Sequence, residues 1–195
     1  MKVIFNGEIT EKVGLLPGDW LPGNGIFETL RGEGRDFFGI HRHYCRANEA
    51  AEFNLPSEAE VTSALKSLLQ VENFPVSRIR ISFRNDGSWL ITNQPYQEFN
   101  SARLMIFEEQ NNNKYGVRKT FPYDRNLELL KKAQSASFDD GILLTNEGEV
   151  SETSIANIAL EVDGRWITPP LTSGILNGVM RAIVIESNEI SVAPI

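Results

Sequence analysis

The sequence contains 195 residues, of which 41% are hydrophobic and 23% are charged, so it has enough apolar material for one large domain or two small ones. Its net charge of −7 argues against binding to nucleic acid, because nucleic-acid surfaces are usually basic. The single cysteine, Cys45, excludes an internal disulfide and a cysteine-based zinc site, and two histidines are too few for a His-rich metal site.

The first apolar run, residues 1–5, is too short for the hydrophobic part of a signal peptide. No later run approaches the roughly 20 apolar residues of a membrane span. With the single cysteine, this predicts a cytoplasmic protein with no membrane partner. Within the same segment, residues 2–5 predict a strand, and Asn6-Gly7 predicts a two-residue hairpin turn.

The remaining elements up to residue 107 are predicted from hydrophobic periodicity. Ser57, followed three residues later by Glu60, predicts a capping box at the start of the second helix. The predicted strands are 9–13, 26–31, 37–40, 78–84, 89–92 and 102–107, with a turn at 32–35 and helices at 41–53 and from Ser57 through Leu69.

An asparagine-rich loop at 110–113 is the best candidate for a domain boundary. The sequence therefore predicts an N-terminal α+β domain at 1–113 and a C-terminal β-rich domain at 114–195. In the second domain, the predicted strands are 115–122, 141–144, 150–153, 156–162 and 165–168, and the predicted helices are 127–134 and 179–187.

Three motifs follow one another in the C-terminal half. The first, TNEGEVSETSIANI at 145–158, predicts two strands joined by a turn at Glu147-Gly148, with Glu152 and Asn157 on the second strand. The second is WITPPL at 166–171, and the third is GILNGVMR at 174–181, which opens a helix.

This order resembles the fold-type IV pyridoxal-phosphate (PLP) enzymes, which include branched-chain and D-amino-acid aminotransferases and 4-amino-4-deoxychorismate lyase. The resemblance implies an α+β protein of two domains, an N-terminal α+β sandwich and a C-terminal β-rich pseudo-barrel, in a compact or truncated form. It also implies pyridoxal 5'-phosphate as cofactor, bound largely by the C-terminal domain.

The resemblance assigns several cofactor-binding residues. Glu152, in the pattern V-x-E-x-x-x-x-N that ends at Asn157, would pair with the pyridine nitrogen and keep it protonated. Gly178, Val179 and Met180 would cup the phosphate, because free N–H groups and the helix dipole make a helix N-terminus a site for anions.

Arg46 would be the arginine that binds the phosphate through its planar, bidentate donors. It ends the pattern H-x-x-R that begins at His43, and the preceding GIFE at 25–28 fits the family's strand before that helix. His41 and His43 are interpreted as structural.

The Schiff-base lysine is less clearly defined by the sequence. Lys119 precedes Glu152 by 33 residues, which fits the family's spacing. The family often reads K-[ST]-x-N and then enters a helix at once, whereas Lys119-Thr120 is followed here by Phe121-Pro122. Lys131 or Lys132, or no lysine at all, are the alternatives.

The candidate substrate residues are Arg84, Phe27 and Arg31. Arg84 ends the alternating strand RIRISFR, near the place of a carboxylate-binding arginine in related transaminases. Phe27 stands where some relatives have tyrosine, so no phenol is available there.

The resemblance implies three alternative functions. The first is a PLP-dependent aminotransferase acting on an amino acid and a 2-keto acid. The second is a 4-amino-4-deoxychorismate lyase, toward which the GIFETLR strand leans. The third is a catalytically inactive relative with a binding role. The expected partners are the small-molecule substrate and a second copy in a homodimer.

The relatives usually continue for several dozen residues beyond the last predicted helix. That segment contains a second phosphate-binding Ser or Thr loop. Here residues 188–195 resemble a later part of the family's sequence. We therefore expect either a compact subfamily or missing segments, with Ser187 and Ser191 as candidates for the hydroxyl.

Overall fold

The computed structural model describes residues 1–11, 14–16, 19–111 and 117–195. The chain forms two compact units. The first unit contains residues 1–98 and 119–122, and the second contains 99–118 and 123–195. The predicted boundary between 113 and 114, half of the asparagine-rich loop, and parts of the predicted strands 9–13 and 115–122 lie outside the described residues.

The described strands are β1 (Lys2–Phe5), β2 (Glu8–Glu11), β3 (Gly25–Gly34), β4 (Asp36–Phe37), β5 (Phe74–Arg84), β6 (Trp89–Pro95), β7 (Leu104–Gln110), β8 (Thr120–Phe121), β9 (Asp140–Leu144), β10 (Val150–Thr153), β11 (Leu160–Val162), β12 (Arg165–Thr168) and β13 (Ser191–Val192). The described helices are α1 (Ile40–Ala50), α2 (Glu58–Val71), α3 (Asp124–Ser135) and α4 (Val179–Glu186), with a 3-10 turn at Leu171–Ser173.

One sheet dominates the first unit. Its order is β2-β1-β6-β5-β3-β4, and the short strand β8 also pairs with β3. The register brings Gly25 opposite Phe121 and Ile26 opposite Thr120. A Cβ on Gly25 would lie 2.0 Å from the Phe83 carbonyl oxygen and 2.5 Å from the Phe121 ring, so β8 approaches β3 closely because this residue is glycine.

Helices α1 and α2 pack on one face of this sheet. The capping box predicted at Ser57 is confirmed: the Ser57 hydroxyl accepts from the Glu60 N–H at 3.3 Å, and the Glu60 carboxylate accepts from the Ser57 N–H at 2.8 Å. Burial of apolar side chains between helices and sheet is the main stabilising term here. The largest fully buried members of this core are Ile4, Val61, Leu65, Leu68, Leu69, Ile79, Ile81 and Ile91.

The second unit contains two small sheets, with orders β10-β9-β7 and β11-β12-β13 among the described residues. Helix α3 packs its apolar stripe, Leu129 and Ala133, against Phe107 of β7 and Leu143 of β9. A Cβ on Gly141 would lie 2.5 Å from the Phe107 ring, which explains glycine on β9 at that point. No helix in the described ranges has the length and hydrophobicity that a membrane crossing would need.

The bounds of three predicted elements in the first unit were wrong. The predicted turn at 32–35 belongs mostly to β3, because Gly32 pairs with Phe37 and Glu33 pairs with Asp36. The predicted strand 37–40 is correspondingly short, and α1 already begins at Ile40 and ends at Ala50, before the predicted end at residue 53.

The predicted strand 156–162 was also too long, since β11 begins only at Leu160. Asn157 therefore does not lie on a strand. The cause is a turn after β10, in which the Thr153 N–H and hydroxyl both donate to the Ala156 carbonyl oxygen, at 2.9 and 3.0 Å.

Candidate active site

Glu152 lies at the centre of the candidate site in the second unit. Strand β10 carries it, and its side chain is buried, with only 8% of the residue exposed. Its Oε2 atom accepts from Asn157 Nδ2 at 3.1 Å and from the Leu176 N–H at 3.0 Å. Hydrogen bonds to an ionised carboxylate are stronger than neutral ones, so these two donors fix the orientation of the carboxylate.

Buried polar groups form hydrogen bonds that hold the turn between Glu152 and Asn157. Asp140 Oδ1 accepts from the N–H of Ser154 at 3.3 Å and from the Ser154 hydroxyl. The Ser154 carbonyl oxygen in turn accepts from Asn126 Nδ2 at 2.6 Å. Because these bonds define the path of the turn, they bring Asn157 back beside Glu152 although five residues separate them.

Asn157 joins Glu152 to the segment that precedes α4. Its amide Nδ2 also donates to the Leu176 carbonyl oxygen at 2.9 Å. On the other side, Gly178 packs directly on the Asn157 side chain, since a Cβ at residue 178 would lie 1.8 Å from Asn157 Oδ1. Only glycine at 178 is compatible with this position of Asn157.

Helix α4 begins immediately after Gly178. No side chain among the described residues caps its first turn, and that turn carries no acidic residue. The N–H groups of the first turn thus remain available to an external acceptor, and the helix dipole adds partial positive charge there. Val179 is buried, whereas Met180 is 64% exposed. The N-terminus of α4 is therefore a candidate anion-binding site. It follows Gly178, which contacts Asn157 of the Glu152–Asn157 pair.

Arg181 fastens α4 to the end of β12. Its guanidinium donates through Nε to Thr168 Oγ1 at 3.3 Å and through Nη2 to the Pro169 carbonyl oxygen at 2.7 Å. Burial lowers the pKa of Arg181 from its usual value. The planar guanidinium of Arg181 donates in fixed directions, and these hydrogen bonds hold the start of α4 in place.

A second buried network holds the 3-10 turn before α4. Asn111 Nδ2 donates to Ser151 Oγ at 2.7 Å and to the Gly174 carbonyl oxygen at 3.1 Å. The Ser151 hydroxyl donates to the Ser173 carbonyl oxygen at 2.8 Å. Ser151 precedes Glu152 on β10, so this network fixes the same strand from its opposite face.

In the first unit, Arg46 is bound to Glu28. Arg46 Nε donates to Glu28 Oε1 at 2.9 Å, and Nη2 donates to Oε2 at 2.5 Å. His43 Nδ1 lies 2.6 Å from the same Oε2. Burial by itself raises the pKa of Glu28, but the hydrogen bonds from His43 and Arg46 outweigh it and hold that pKa below its usual value. The carboxylate is therefore charged, and it orients Arg46.

Lys119 lies in the first unit, just before β8. Its carbonyl oxygen accepts from the Phe27 N–H at 2.9 Å, and its Nζ atom lies 4.6 Å from the centre of the Phe27 ring. The two alternatives have different surroundings. Lys131 and Lys132 are exposed on α3, and Lys132 forms an ion pair with Glu109 at 2.5 Å.

The candidate substrate residues of the first unit have varied environments. Arg84 forms an ion pair with Asp86 at 2.8 Å. Arg31 is exposed and forms ion pairs with Glu33 and Glu98, both at 2.6 Å. Phe27 is buried within the sheet.

Arg80, which the sequence did not single out, stacks on aromatic rings beside Phe27. Its guanidinium carbon lies 4.0 Å from the centre of the Trp20 ring and 5.5 Å from that of Phe27. Burial lowers the pKa of Arg80 to about 10, Arg78 adds to this effect, and Asp19 opposes it. A planar guanidinium over an indole is a favourable cation–π arrangement.

Sequence reasoning missed the residues that support the site. Glu28 was within the GIFE motif, but no role was assigned to it. Asp140, Asn111 and Asn126 had no recognisable signal, because each acts through a partner at least 14 residues away in the chain. The only local signal of such a supporting role is a polar residue in or next to a predicted strand, and this signal does not identify the hydrogen-bond partner.

Comparison with known proteins identifies the family. The family model for class IV amino-transferases matches residues 25–194. The chain therefore belongs to the class IV aminotransferase family. This confirms the resemblance that was based on the motifs around Glu152 and Gly178.

Two curated relatives illustrate the range of the family. The chain is 32% identical over 170 residues to a protein named probable branched-chain-amino-acid aminotransferase of Thermotoga maritima, with 83% of this chain and 62% of that protein aligned. It is 26% identical over 175 residues to a putative aminodeoxychorismate lyase of Schizosaccharomyces pombe, with 85% and 74% aligned. The chain thus spans less than two thirds of the Thermotoga maritima protein.

Solved structures agree on the fold. A putative branched-chain amino acid aminotransferase of Thermotoga maritima superimposes with a TM-score of 0.82 at 27% identity, covering 98% of this chain and 75% of the other. The branched-chain amino acid aminotransferase of Escherichia coli gives a TM-score of 0.82 at 21% identity, over 98% of this chain and 76% of the other. The predicted fold-type IV class is confirmed.

Proposed function

We propose that this chain is a PLP-dependent enzyme that transfers an amino group between an amino acid and a 2-keto acid. The observation that carries the proposal is the arrangement in the second unit. A buried carboxylate, Glu152, is joined through Asn157 to the uncapped N-terminus of α4. A carboxylate and an anion-binding helix end suit the two polar ends of PLP, its pyridine nitrogen and its phosphate.

The residues present fit that cofactor. PLP, when bound, supplies an electron sink for a substrate carbanion. Glu152 would hold a proton on the pyridine nitrogen, and the two donors to its Oε2 keep the carboxylate in place. Gly178, Val179 and Met180 would offer the N–H groups of the first helical turn to the phosphate. Asn157 would fix the spacing between these two binding points.

Two residues of the first unit complete the proposal. Lys119 would carry the cofactor covalently, and its amine would move the proton that leaves the substrate Cα. Its partly buried position beside Phe27 favours it over the exposed Lys131 and Lys132. Arg46, oriented by Glu28, would be a further ligand of the phosphate. Arg84, Phe27 and Arg31 remain proposed substrate residues.

A lyase acting on 4-amino-4-deoxychorismate, with release of pyruvate, is the second candidate. It is favoured by the similarity to a protein named as such a lyase and by the GIFETLR strand at 25–31. Both reactions use the same cofactor-binding residues, so the substrate pocket must decide between them. We further propose a homodimer in the cytoplasm, which sedimentation of the purified chain and fractionation of its source cells would test.

The cofactor and its lysine are tested together. PLP is added to the full chain, absorbance is recorded, borohydride is added, and the labelled peptide is mapped by mass spectrometry. Label on Lys119, lost in Lys119→Ala and retained in the control Lys131→Ala, is the expected result. Label on Lys131 or Lys132 would overturn the choice of lysine, and no label would leave a relative with a binding role.

The reaction is tested separately. Transamination requires a keto acid as acceptor of the amino group, whereas pyruvate release from aminodeoxychorismate does not. Turnover that depends on an added keto acid is expected, and turnover of aminodeoxychorismate without one would favour the lyase. Glu152→Gln, which keeps the shape but removes the charge, is expected to retain the label and lose most of the turnover.

A further inference from the structure

Lys119 is held by Phe27 at two points. The main-chain bond from the Phe27 N–H to the Lys119 carbonyl oxygen, at 2.9 Å, extends the pairing of β8 with β3 by one residue. The side chain then returns to the same residue, so that Nζ lies 4.6 Å from the ring centre. Phe27 thus contacts both the backbone and the amine of Lys119.

The Phe27 ring has little freedom to move. Only 2% of the residue is exposed. The Trp20 ring packs on it edge to face, with ring centroids 4.8 Å apart and ring planes at 81°. The centroids of the Trp20 and Phe121 rings are 6.2 Å apart. An aromatic ring fixed in this way presents its face at a constant position.

The face of an aromatic ring attracts a cation, because its quadrupole places negative charge there. The ring therefore stabilises the ammonium form of Lys119 relative to the neutral amine. The guanidinium carbon of Arg80 lies 5.5 Å from the centre of the same ring, and by like-charge repulsion its positive charge would favour the neutral form of a nearby amine. Asp19 raises the pKa of Arg80, so a negative charge accompanies this guanidinium. Arg78, on the same strand β5, also acts on Arg80 and lowers its pKa further.

We propose that Phe27 is a positioning residue for Lys119, whose ring holds the amine in place and sets the pH at which it becomes a nucleophile. This gives Phe27 a role toward the lysine in addition to its proposed place at the substrate. The proposal rests on the proposed function only in taking Lys119 as the lysine that carries the cofactor.

The test changes the quadrupole of the ring without changing its shape. Phenylalanine analogues with one, two or three fluorine atoms are inserted at position 27 of the full 195-residue chain. The rate at which an acetylating reagent modifies Lys119 is then measured against pH by mass spectrometry, before any PLP is added. Each fluorine weakens the attraction for the ammonium, so the midpoint of the profile should fall stepwise, by about half a unit to one unit for three fluorines.

Two controls accompany the series. Lys131, exposed on α3, reports on the reagent in the same sample and should keep its profile. The same analogues at Phe83, also buried on β5, should leave the Lys119 profile unchanged. Phe27→Leu should reproduce the effect of three fluorines if it folds, and the fluorinated chains replace it if it does not.

A Lys119 profile that does not respond to fluorination at position 27 would overturn the proposal, and so would an equal shift from fluorination at Phe83. Because the reagent reads the amine directly, this result does not depend on whether PLP binds. Borohydride labelling, in contrast, reports on the role of Lys119 in the enzyme. The two proposals can therefore fail separately.

Discussion

Glu28 and Arg46 form a two-point ion pair in the first unit, with donor–acceptor distances of 2.9 and 2.5 Å. A buried pair of this kind is a weak source of stability in itself, but removal of one partner is costly because the other charge stays behind. Arg46, the proposed ligand of the phosphate, is thus oriented by the carboxylate of Glu28 on β3.

Glu28→Gln should destabilise the chain by about 3 kcal/mol at neutral pH, because it leaves Arg46 and His43 beside a neutral amide. Chemical denaturation with a linear extrapolation measures the change. Glu33→Gln is the control, since Glu33 pairs with Arg31 at the surface, where ion pairs contribute little. Equal stability of Glu28→Gln and the unaltered chain would contradict this account.

The same pair predicts a dependence on pH. The pKa of Glu28 in the folded chain is below its usual 4.5, so the stabilisation from its charge is present above the unfolded value and is lost as pH falls through the folded value. The difference in unfolding free energy between the unaltered chain and Glu28→Gln should therefore shrink below about pH 4.5. Denaturation curves at several pH values between neutrality and acid would measure it.

Gly178→Ala should disturb the site from within. The new Cβ would lie 1.8 Å from Asn157 Oδ1, so Asn157 must leave the position in which it bonds Glu152 and the Leu176 carbonyl oxygen. We expect a loss of about 1 to 3 kcal/mol of stability and weaker binding of PLP in a titration. Gly14→Ala is the control, because a Cβ there meets nothing within 4 Å.

A double-mutant cycle makes this prediction more specific. If the clash with Asn157 is the cause, Gly178→Ala should cost much less in a chain that already carries Asn157→Ala. Additive costs would place the effect of the methyl group elsewhere.

Arg181→Met should loosen the start of α4. The substitution keeps an unbranched apolar side chain but removes the donors to Thr168 and Pro169, which leaves acceptors buried without these bonds at a cost of about 1 to 3 kcal/mol. Hydrogen exchange of the α4 amides should become faster. The neighbouring Met180→Ala, at an exposed position, should leave both stability and exchange nearly unchanged.

Ser154→Ala should weaken the turn that carries Asn157. Asp140 would lose the hydroxyl donor while its bonds to the N–H groups of Gly141 and Ser154 remain. We expect a loss of about 1 to 2 kcal/mol in unfolding free energy, measured by denaturation. Ser63→Ala, on the exposed part of α2, is the matched control. An unchanged stability of Ser154→Ala would mean that the turn is held mainly by its backbone.

Much of the element order followed from local patterns. Alternation in RIRISFR, the Ser57–Glu60 capping box and the Asn6-Gly7 turn are each determined by neighbours in the chain, and each occurs where it was expected. The ends of β3 and β11 were misjudged because they depend on pairing partners, Asp36-Phe37 in one case and the polar turn after Thr153 in the other. Pairing across a sheet is not encoded at a fixed spacing.

The sequence by itself determined the family, because the order of the motifs around Glu152 and Gly178 can be read directly from it. It also determined which residues have the right chemical type: a carboxylate, a glycine before a helix, an arginine and a lysine. Only the tertiary structure decided how these residues are held. The bond of Glu28 to Arg46, the contact of Asn157 with Gly178 and the ring of Phe27 against Lys119 join residues that are 18, 21 and 92 positions apart. Such contacts arise when buried polar and charged groups must find partners in the folded chain, and that requirement becomes visible only once the elements are packed.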